Sequence, residues 1–83
     1  MYDVQLTAAA VPSLERLPVE VQRRVLDALD LLGRDPRPAG AVKLSGRGEW
    51  RIRVGDHRVI YDIRDRELLV LVIVIGHRRG VYR

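Results

Sequence analysis

The sequence has no cysteine, only two histidines and no long hydrophobic run. The absence of cysteine excludes a disulfide scaffold, a thiolate metal site and a cysteine nucleophile. The histidines, His57 and His77, are not spaced as a zinc site. The longest apolar run, Leu68 to Ile75, is too short to span a membrane as a helix. Because no basic and then apolar signal segment opens the chain, a cytoplasmic protein is expected.

The length and composition predict one folded domain over residues 1–83. Hydrophobic residues make up 47% of the chain and charged residues 31%, which is typical of a folded domain rather than a disordered one. A chain of this size buries only about 60% of its unfolded surface, so its core must be small.

The net positive charge of the chain comes entirely from its C-terminal half. Residues 1–42 carry five arginines and six acidic residues, whereas residues 43–83 carry ten basic and five acidic residues. Lys43 is the single lysine, and every other basic residue is arginine. This asymmetry indicates a polyanionic partner, with nucleic acid as the first candidate. An arginine-rich composition inherited from a GC-rich genome is the alternative.

The first half of the chain predicts a strand followed by a helical hairpin. Alternation of apolar and polar residues predicts a strand from Tyr2 to Leu6. Thr7 is expected to cap a first helix that runs toward Leu17 and is disturbed by Pro12. The chain break at Leu17-Pro18 then separates this helix from a second one.

The second helix is amphipathic and is expected to begin at Pro18 and to end at Gly33. Its apolar stripe at helical spacing consists of Val21, Val25, Ala28, Leu29 and Leu32. The segment from Asp35 to Gly40 contains two prolines and reads as a loop. The hairpin therefore has one apolar face to bury.

The second half predicts a β-meander. Its strands are Glu49 to Val54, His57 to Arg64 and Glu67 to about His77, each rich in Val, Ile and Leu. Gly55-Asp56 and Asp65-Arg66 are the expected two-residue turns, and Gly55 suits the first central position of a type II′ turn. The fold class is therefore α+β, with the order β-α-α-β-β-β and a mostly antiparallel sheet that carries both helices on one face.

A two-residue turn at Gly55-Asp56 predicts the register of the first hairpin. It places Arg53 opposite Arg58, and alternation then puts Arg51, Arg53 and Arg58 together on what we call the arginine face. The other side, the core face, is expected to pack beneath the helices. It carries Trp50, Ile52, Val54, Val59, Tyr61 and Ile63.

Like charges directly opposite each other destabilise a sheet by roughly a few tenths of a kcal/mol up to 1 kcal/mol. Local conflicts of this kind tend to mark functional sites. Because a guanidinium binds oxyanions through a rigid fork of donors, the arginine face predicts a phosphate-binding cluster. The alternative is that the arginines spread into solvent, or that Asp62 or Glu49 neutralises them.

The same reasoning, carried through the turn at Asp65-Arg66, makes the last strand apolar on both faces. It places His77 on the arginine face together with Leu69, Leu71, Ile73 and Ile75. A partner protein over this face would explain the pattern, as would shielding by the chain's own terminus. Gly76 is a candidate bulge that would let the basic tail curl back over the sheet, the alternative being a frayed terminus.

This order of elements resembles the RelE/ParE superfamily of bacterial toxins from toxin–antitoxin pairs, over nearly the whole chain. The superfamily implies the RelE-like microbial ribonuclease fold. The matching motifs are Leu17-Pro18, Pro36-Arg37-Pro38, Lys43-Leu44-Ser45-Gly46, the segment from Trp50 to Tyr61, and the ending from Gly76-His77-Arg78-Arg79 to Val81-Tyr82-Arg83.

RelE-like members of this superfamily cut mRNA in the ribosomal A site, and the resemblance implies the same activity here, with no metal or organic cofactor. In those members the ribose 2′-OH attacks the adjacent phosphate and leaves a 2′,3′-cyclic phosphate and a 5′-OH. The implied catalytic residues are Arg51, Arg53, Arg58, Arg78 and Tyr82, with His77 as the added candidate for proton transfer. Further RNA contacts are expected from Lys43, Arg47, Arg79 and Arg83.

The sequence departs from the superfamily pattern in two ways. Enterobacterial RelE has lysine where Arg51 and Arg53 stand here, and arginine is better suited to stabilising a phosphorane than to accepting a proton. His77 is then the first candidate for the general base, because imidazole titrates near neutrality. The other candidates are Tyr82, His57 and Glu49. The sequence also ends at Arg83, before the C-terminal helix of many relatives, so inhibition is expected to depend on the antitoxin alone.

The resemblance implies a cognate antitoxin of the RelB or Phd type, with an acidic amphipathic segment over the arginine face. The ribosome and mRNA are the other expected partners, and no membrane is expected. Two other functions stay open: a ParE-like inhibitor of DNA gyrase without nuclease activity, and a silent toxin or one that cuts free RNA. ParE-like proteins usually lack this complete cationic set and have a longer helical hairpin.

Overall fold

The structure is a computed structural model that describes residues 1–46 and 48–77. Its strands form one sheet in the order β1-β5-β4-β3-β2, in which β1 pairs parallel with β5 and the other pairs are antiparallel. The predicted α+β class is confirmed. The elements are β1 (Asp3–Leu6), α1 (Ala10–Glu15), α2 (Val19–Arg34), β2 (Val42–Lys43), β3 (Trp50–Val54), β4 (His57–Arg64) and β5 (Leu69–His77).

Both helices contribute to a hydrophobic core on the core face of the sheet. The core joins Ala10 of α1 and three residues of α2 to alternate residues of β3, β4 and β5. These buried residues are Ala10, Val25, Leu29, Leu32, Ile52, Val54, Val59, Tyr61, Val70, Val72 and Ile75. In the described part of the chain, no helix is long and apolar enough to cross a membrane.

The first helix begins at Ala10, two residues later than a cap at Thr7 predicted. Thr7 still organises this turn, because its hydroxyl accepts a hydrogen bond from the Ala10 N–H at 3.3 Å and its carbonyl accepts one at 3.0 Å. Pro12 lies in the first turn of α1, where its missing N–H would have no partner within the helix anyway.

Gly33 does not end the second helix, as the sequence suggested. It lies inside α2 and is buried, and the helix continues to Arg34. A Cβ at this position would lie 3.1 Å from the Tyr2 carbonyl oxygen and 3.3 Å from Cγ2 of Val4. The glycine therefore lets β1 approach the helix closely, and the Tyr2 N–H donates to the Gly33 carbonyl at 2.7 Å.

The loop after α2 is fixed to the sheet by the side chain of Tyr61. Its buried hydroxyl donates a hydrogen bond to the Pro36 carbonyl at 2.7 Å, and burial raises the pKa of Tyr61 to about 12. Arg37 lies over the ring of Trp50, with its guanidinium carbon 5.5 Å from the ring centroid.

A second set of contacts holds the same loop to the turn between β4 and β5. Arg37 binds the Asp65 carboxylate with both terminal nitrogens, at 3.0 and 3.3 Å, and the Tyr2 hydroxyl donates to it at 2.5 Å. The hydrogen bond from Arg37 is the main reason that the pKa of Asp65 is lowered. These contacts join the first strand, the loop and the last turn at the end of the sheet away from Gly55.

The first hairpin has the predicted register. Arg53 lies opposite Arg58, Ile52 opposite Val59, and Trp50 opposite Tyr61. Gly55 has a φ of +60°, whereas Asp56 has no positive φ, so the turn is of type II′. The short edge strand β2 was not predicted, because two residues are too few to show a pattern.

The second hairpin differs from the prediction in two respects. Its loop has four residues rather than two, since Arg64 lies opposite Leu69, and Leu68 adopts a φ of +51°. A β-bulge then shifts the register between Ile60 and Tyr61. Beyond the bulge, Ile75 pairs with Val59 on the core face, not on the arginine face as predicted.

Candidate nucleic-acid interface

The arginine face is formed as the sequence predicted. Arg51 and Arg53 alternate with core residues along β3, and Arg58 projects from β4 directly opposite Arg53. Arg53 is exposed, whereas Arg51 and Arg58 are half-buried. Three guanidinium groups therefore share one side of a two-stranded segment.

An apolar residue lies buried among these cations. Ile60 is only 4% exposed, yet it does not belong to the core beneath the helices. Its cross-strand neighbours are Arg51 and Val74. The aliphatic stem of an arginine can cover apolar surface while its guanidinium stays near water, so Ile60 provides a floor for the cationic cluster.

The cluster carries an electrostatic and hydrogen-bonding cost. Nε of Arg51 is buried and has no hydrogen-bond partner among the described residues, and Nε of Arg58 is buried in the same face. Asp62, one of the two acids considered as a neutralising group, instead pairs with Arg64 at 3.3 Å. A buried donor without an acceptor costs about 1–3 kcal/mol.

A small recess opens where the face meets the hairpin turn. It has a volume of about 100 Å³ and is lined by Arg53, Gly55, Asp56 and Arg58. Two opposed guanidinium groups at the wall of such a recess are a suitable arrangement for one phosphate group.

The prediction that His77 lies on the arginine face is wrong. The bulge pairs His77 with His57, which belongs to the core face, and the two imidazole rings meet edge to face at 5.5 Å. Both histidines therefore lie on the opposite side of the sheet from Arg51, Arg53 and Arg58. The reason is local, because one extra residue in a strand reverses the face of every residue beyond it.

The other predicted site residues divide into two groups. Lys43 pairs with Trp50, so alternation puts it on the core face rather than beside the arginines. The remaining predicted residues lie outside the described part of the chain: Arg47, Arg78, Arg79, Tyr82 and Arg83.

One cation near the recess was missed by sequence reasoning. The guanidinium of Arg24, on α2, lies against Gly55 from the core side of the sheet. The helical pattern marks Arg24 only as a solvent-facing residue. Contact between a helix and a hairpin turn more than thirty residues later leaves no signal in the sequence.

Comparison with known proteins identifies the class to which this fold and cationic face belong. The model of the family described as ParE toxin of type II toxin-antitoxin system, parDE, matches residues 4–82. Toxin RelG of Mycobacterium tuberculosis is 30% identical over 84 residues, which cover 99% of this chain and 97% of RelG. Toxin RelE of the same organism is 32% identical over 84 residues, covering 99% of this chain and 87% of RelE.

The fold is similar to that of a solved RelE structure. The archaeal RelE–RelB complex of Pyrococcus horikoshii contains a chain that superposes with a TM-score of 0.84 and 30% identity, over 96% of this chain and 98% of that one. The chain therefore belongs to the ParE toxin family, within the RelE/ParE superfamily. More particularly, it is a RelE-like toxin of a type II toxin–antitoxin system.

Proposed function

We propose that this toxin is a ribosome-dependent endoribonuclease that cuts mRNA in the A site and so inhibits translation in the cytoplasm. The observation that carries the proposal is the opposed pair Arg53 and Arg58, with Arg51 on the same face and a phosphate-sized recess beside them. The similarity to two toxins of the RelG and RelE type supports it.

The proposed reaction is a transesterification within the RNA. The 2′ oxygen forms a bond to the adjacent phosphorus, the bond from phosphorus to the 5′ oxygen breaks, and the products are a 2′,3′-cyclic phosphate and a 5′-OH. One proton leaves the 2′-OH and one reaches the departing 5′ oxygen. Arg51, Arg53 and Arg58 keep their charge at neutral pH, so their role is to stabilise the negative charge of the phosphorane.

The position of His77 changes the candidates for the general base. With both imidazoles on the core face, Glu49 and Tyr82 remain from those considered in the sequence. The Glu49 carbonyl accepts a hydrogen bond from Leu44 at 2.8 Å, which continues the β2–β3 ladder. Alternation along β3 then places position 49 on the same face as Arg51. We therefore propose a carboxylate or a phenol, rather than an imidazole, as the proton acceptor.

A cognate antitoxin is the second partner that we propose. The similar Pyrococcus horikoshii chain was solved as a RelE–RelB complex. An acidic amphipathic segment of a RelB- or Phd-type antitoxin would meet both the arginines and the half-buried Leu71 and Val74 beside them. Binding of this kind is expected to weaken strongly as salt is added, since several charge pairs form.

Primer extension on a defined mRNA tests the proposal, with the purified toxin added to stalled ribosomes or to naked RNA. Cuts inside the A-site codon that require ribosomes are the expected result. Cuts on naked RNA as well would indicate a less selective ribonuclease. No cuts in either reaction, from protein that is toxic in cells, would contradict the proposal and favour a ParE-like action on DNA gyrase.

A further inference from the structure

Arg24 occupies an unexpected position for an exposed helical arginine. Glu20 and Asp27 lie one turn away on α2, at spacings that normally favour an ion pair. Arg24 forms no ion pair with either acid in the described part of the chain. Its guanidinium instead lies at the hairpin turn, where a Cβ on Gly55 would be 3.3 Å from one terminal nitrogen and 3.7 Å from Cζ.

The turn therefore has guanidinium groups on both of its sides. On the arginine face, Arg53 and Arg58 line the recess that also contacts Gly55. On the core side, Arg24 reaches the same glycine. Gly55 therefore has cations near it on both sides.

Two imidazoles lie at the same end of the sheet, on its core side. His57 follows the turn directly, and its ring contacts that of His77. Asp56 is the one acidic residue within the turn itself. The convergence of Arg24, Arg53 and Arg58 on one turn is unfavourable in the free protein, and it is expected where an anionic ligand binds.

The ligand that fits a line of cations around a turn is a polyanion with regularly spaced charges. A phosphodiester backbone carries one negative charge per nucleotide, so successive phosphates can bind groups on successive parts of a surface. Contacts of this kind position a nucleic acid without reading its sequence. A single bound anion would be served by the recess alone and would leave Arg24 without a role.

We propose that the RNA-binding surface of this toxin continues around the Gly55-Asp56 turn onto helix α2, where Arg24 binds a backbone phosphate next to the one held by Arg53 and Arg58. The inference rests on the proposed ribonuclease function. The phosphate belongs either to the mRNA or to ribosomal RNA, and the chemistry of recognition is the same for both.

The test compares Arg24→Gln with Arg23→Gln in the full chain. Arg23 is the adjacent exposed arginine of the same helix, so both variants lose one positive charge and differ only in which side of α2 loses it. Binding is measured against a short fluorescent RNA with 2′-O-methyl groups, which cannot be cleaved, and against purified ribosomes, each over a range of salt concentrations.

We expect Arg24→Gln to weaken binding about fivefold or more at low salt. Its slope of log affinity against log salt should fall by about 0.7, the value for one phosphate contact on a single strand. Arg23→Gln should leave both quantities unchanged. A loss seen with the short RNA assigns the phosphate to the mRNA, and a loss seen only with ribosomes assigns it to ribosomal RNA.

A third variant separates charge from packing against Gly55. Arg24→Lys keeps the positive charge and should recover most of the binding, with thermal denaturation used to confirm that all three variants fold. Equal binding by Arg24→Gln and Arg23→Gln to both ligands would overturn the inference while wild-type cleavage still supports the ribonuclease function. Wild-type protein that neither binds nor cuts RNA would overturn both.

Discussion

The two faces of the sheet differ in how their side chains contribute to stability, although the same strands form both. On the core face, buried side chains of β3, β4 and β5 pack against the helices and leave no buried polar or charged residue in the described chain. On the arginine face, Ile60 is buried beside guanidinium groups, and Arg53 opposes Arg58 directly. The first arrangement is what stability favours. The second lowers stability, and conflicts of this kind are common at functional sites.

The largest effect, a loss of cleavage activity, is expected from Arg58→Ala. Removing one donor to a developing oxyanion typically lowers the rate by about two to three orders of magnitude. Cleavage of ribosome-bound mRNA should fall by that factor in primer-extension assays, while the chain stays folded. Arg66→Ala is the control, since Arg66 is an exposed residue of the β4–β5 turn. Equal cleavage by the two variants would remove the catalytic role of the arginine face.

A substitution on the core face should act on stability instead. Tyr61→Phe removes the hydroxyl that donates to the buried Pro36 carbonyl. We expect the free energy of unfolding to fall by about 1–2 kcal/mol at pH 7, because the carbonyl loses its partner. Urea denaturation measures this change, and an unaltered midpoint would contradict the proposed role of this hydrogen bond.

Tyr61 should also make the stability of the protein depend on pH. Burial raises the pKa of Tyr61 to about 12, whereas an unfolded tyrosine ionises near 10. The folded chain then holds the proton more tightly, so this stabilisation is complete below pH 10 and is lost as the pH rises toward 12. Tyr61→Phe should flatten the fall in stability over this range, which urea denaturation at several pH values measures.

Removing a charge from the arginine face should raise the free energy of unfolding, whereas a loss of contacts in the core lowers it. Arg53→Gln relieves the repulsion with Arg58, and we expect the free energy of unfolding to rise by a few tenths of a kcal/mol up to about 1 kcal/mol. The gain should shrink as salt is added. Arg66→Gln provides the matched loss of charge, and an equal gain in that variant would mean that net charge, not the opposed pair, is responsible.

The smallest effect on stability is expected from Asp65, at the end of the sheet away from Gly55. The hydrogen bond from Arg37 lowers the pKa of Asp65, so the contribution of this carboxylate is present above its ordinary pKa and is lost as the pH falls through the lowered value. Asp65→Asn should therefore show a slightly shallower loss of stability below about pH 4. Cleavage should be unaffected, and reduced cleavage would connect this end of the sheet to the site.

How far the sequence predicts the site depends on the turns. The first hairpin was predictable to the residue, because a two-residue turn with glycine at its first central position allows one register. That register alone is enough to bring the three arginines onto one face. Helix α2 was also evident from its apolar stripe, apart from Gly33, whose close contact with β1 involves residues distant in sequence.

The last strand was not predictable in the same way. From Leu68 to Ile75 every residue is apolar, so shifting the register by one leaves the pattern unchanged. The bulge beside Tyr61 is therefore invisible in the sequence, and with it the true positions of Ile75 and His77. Contacts between elements that are distant in sequence, such as Arg24 with Gly55, also leave no pattern from which they could be predicted.

The position of β5 within the sheet also determines when the protein can fold. This strand is the last described element in the chain, yet it lies between β1 and β4 and pairs with both. Asp3 must meet Leu69, at the opposite end of the described sequence. During synthesis from the N-terminus, the sheet cannot assemble until residues 69–77 have emerged. The toxin fold is therefore completed late, and a partly made chain lacks the central strand that joins β1 to the rest of the sheet.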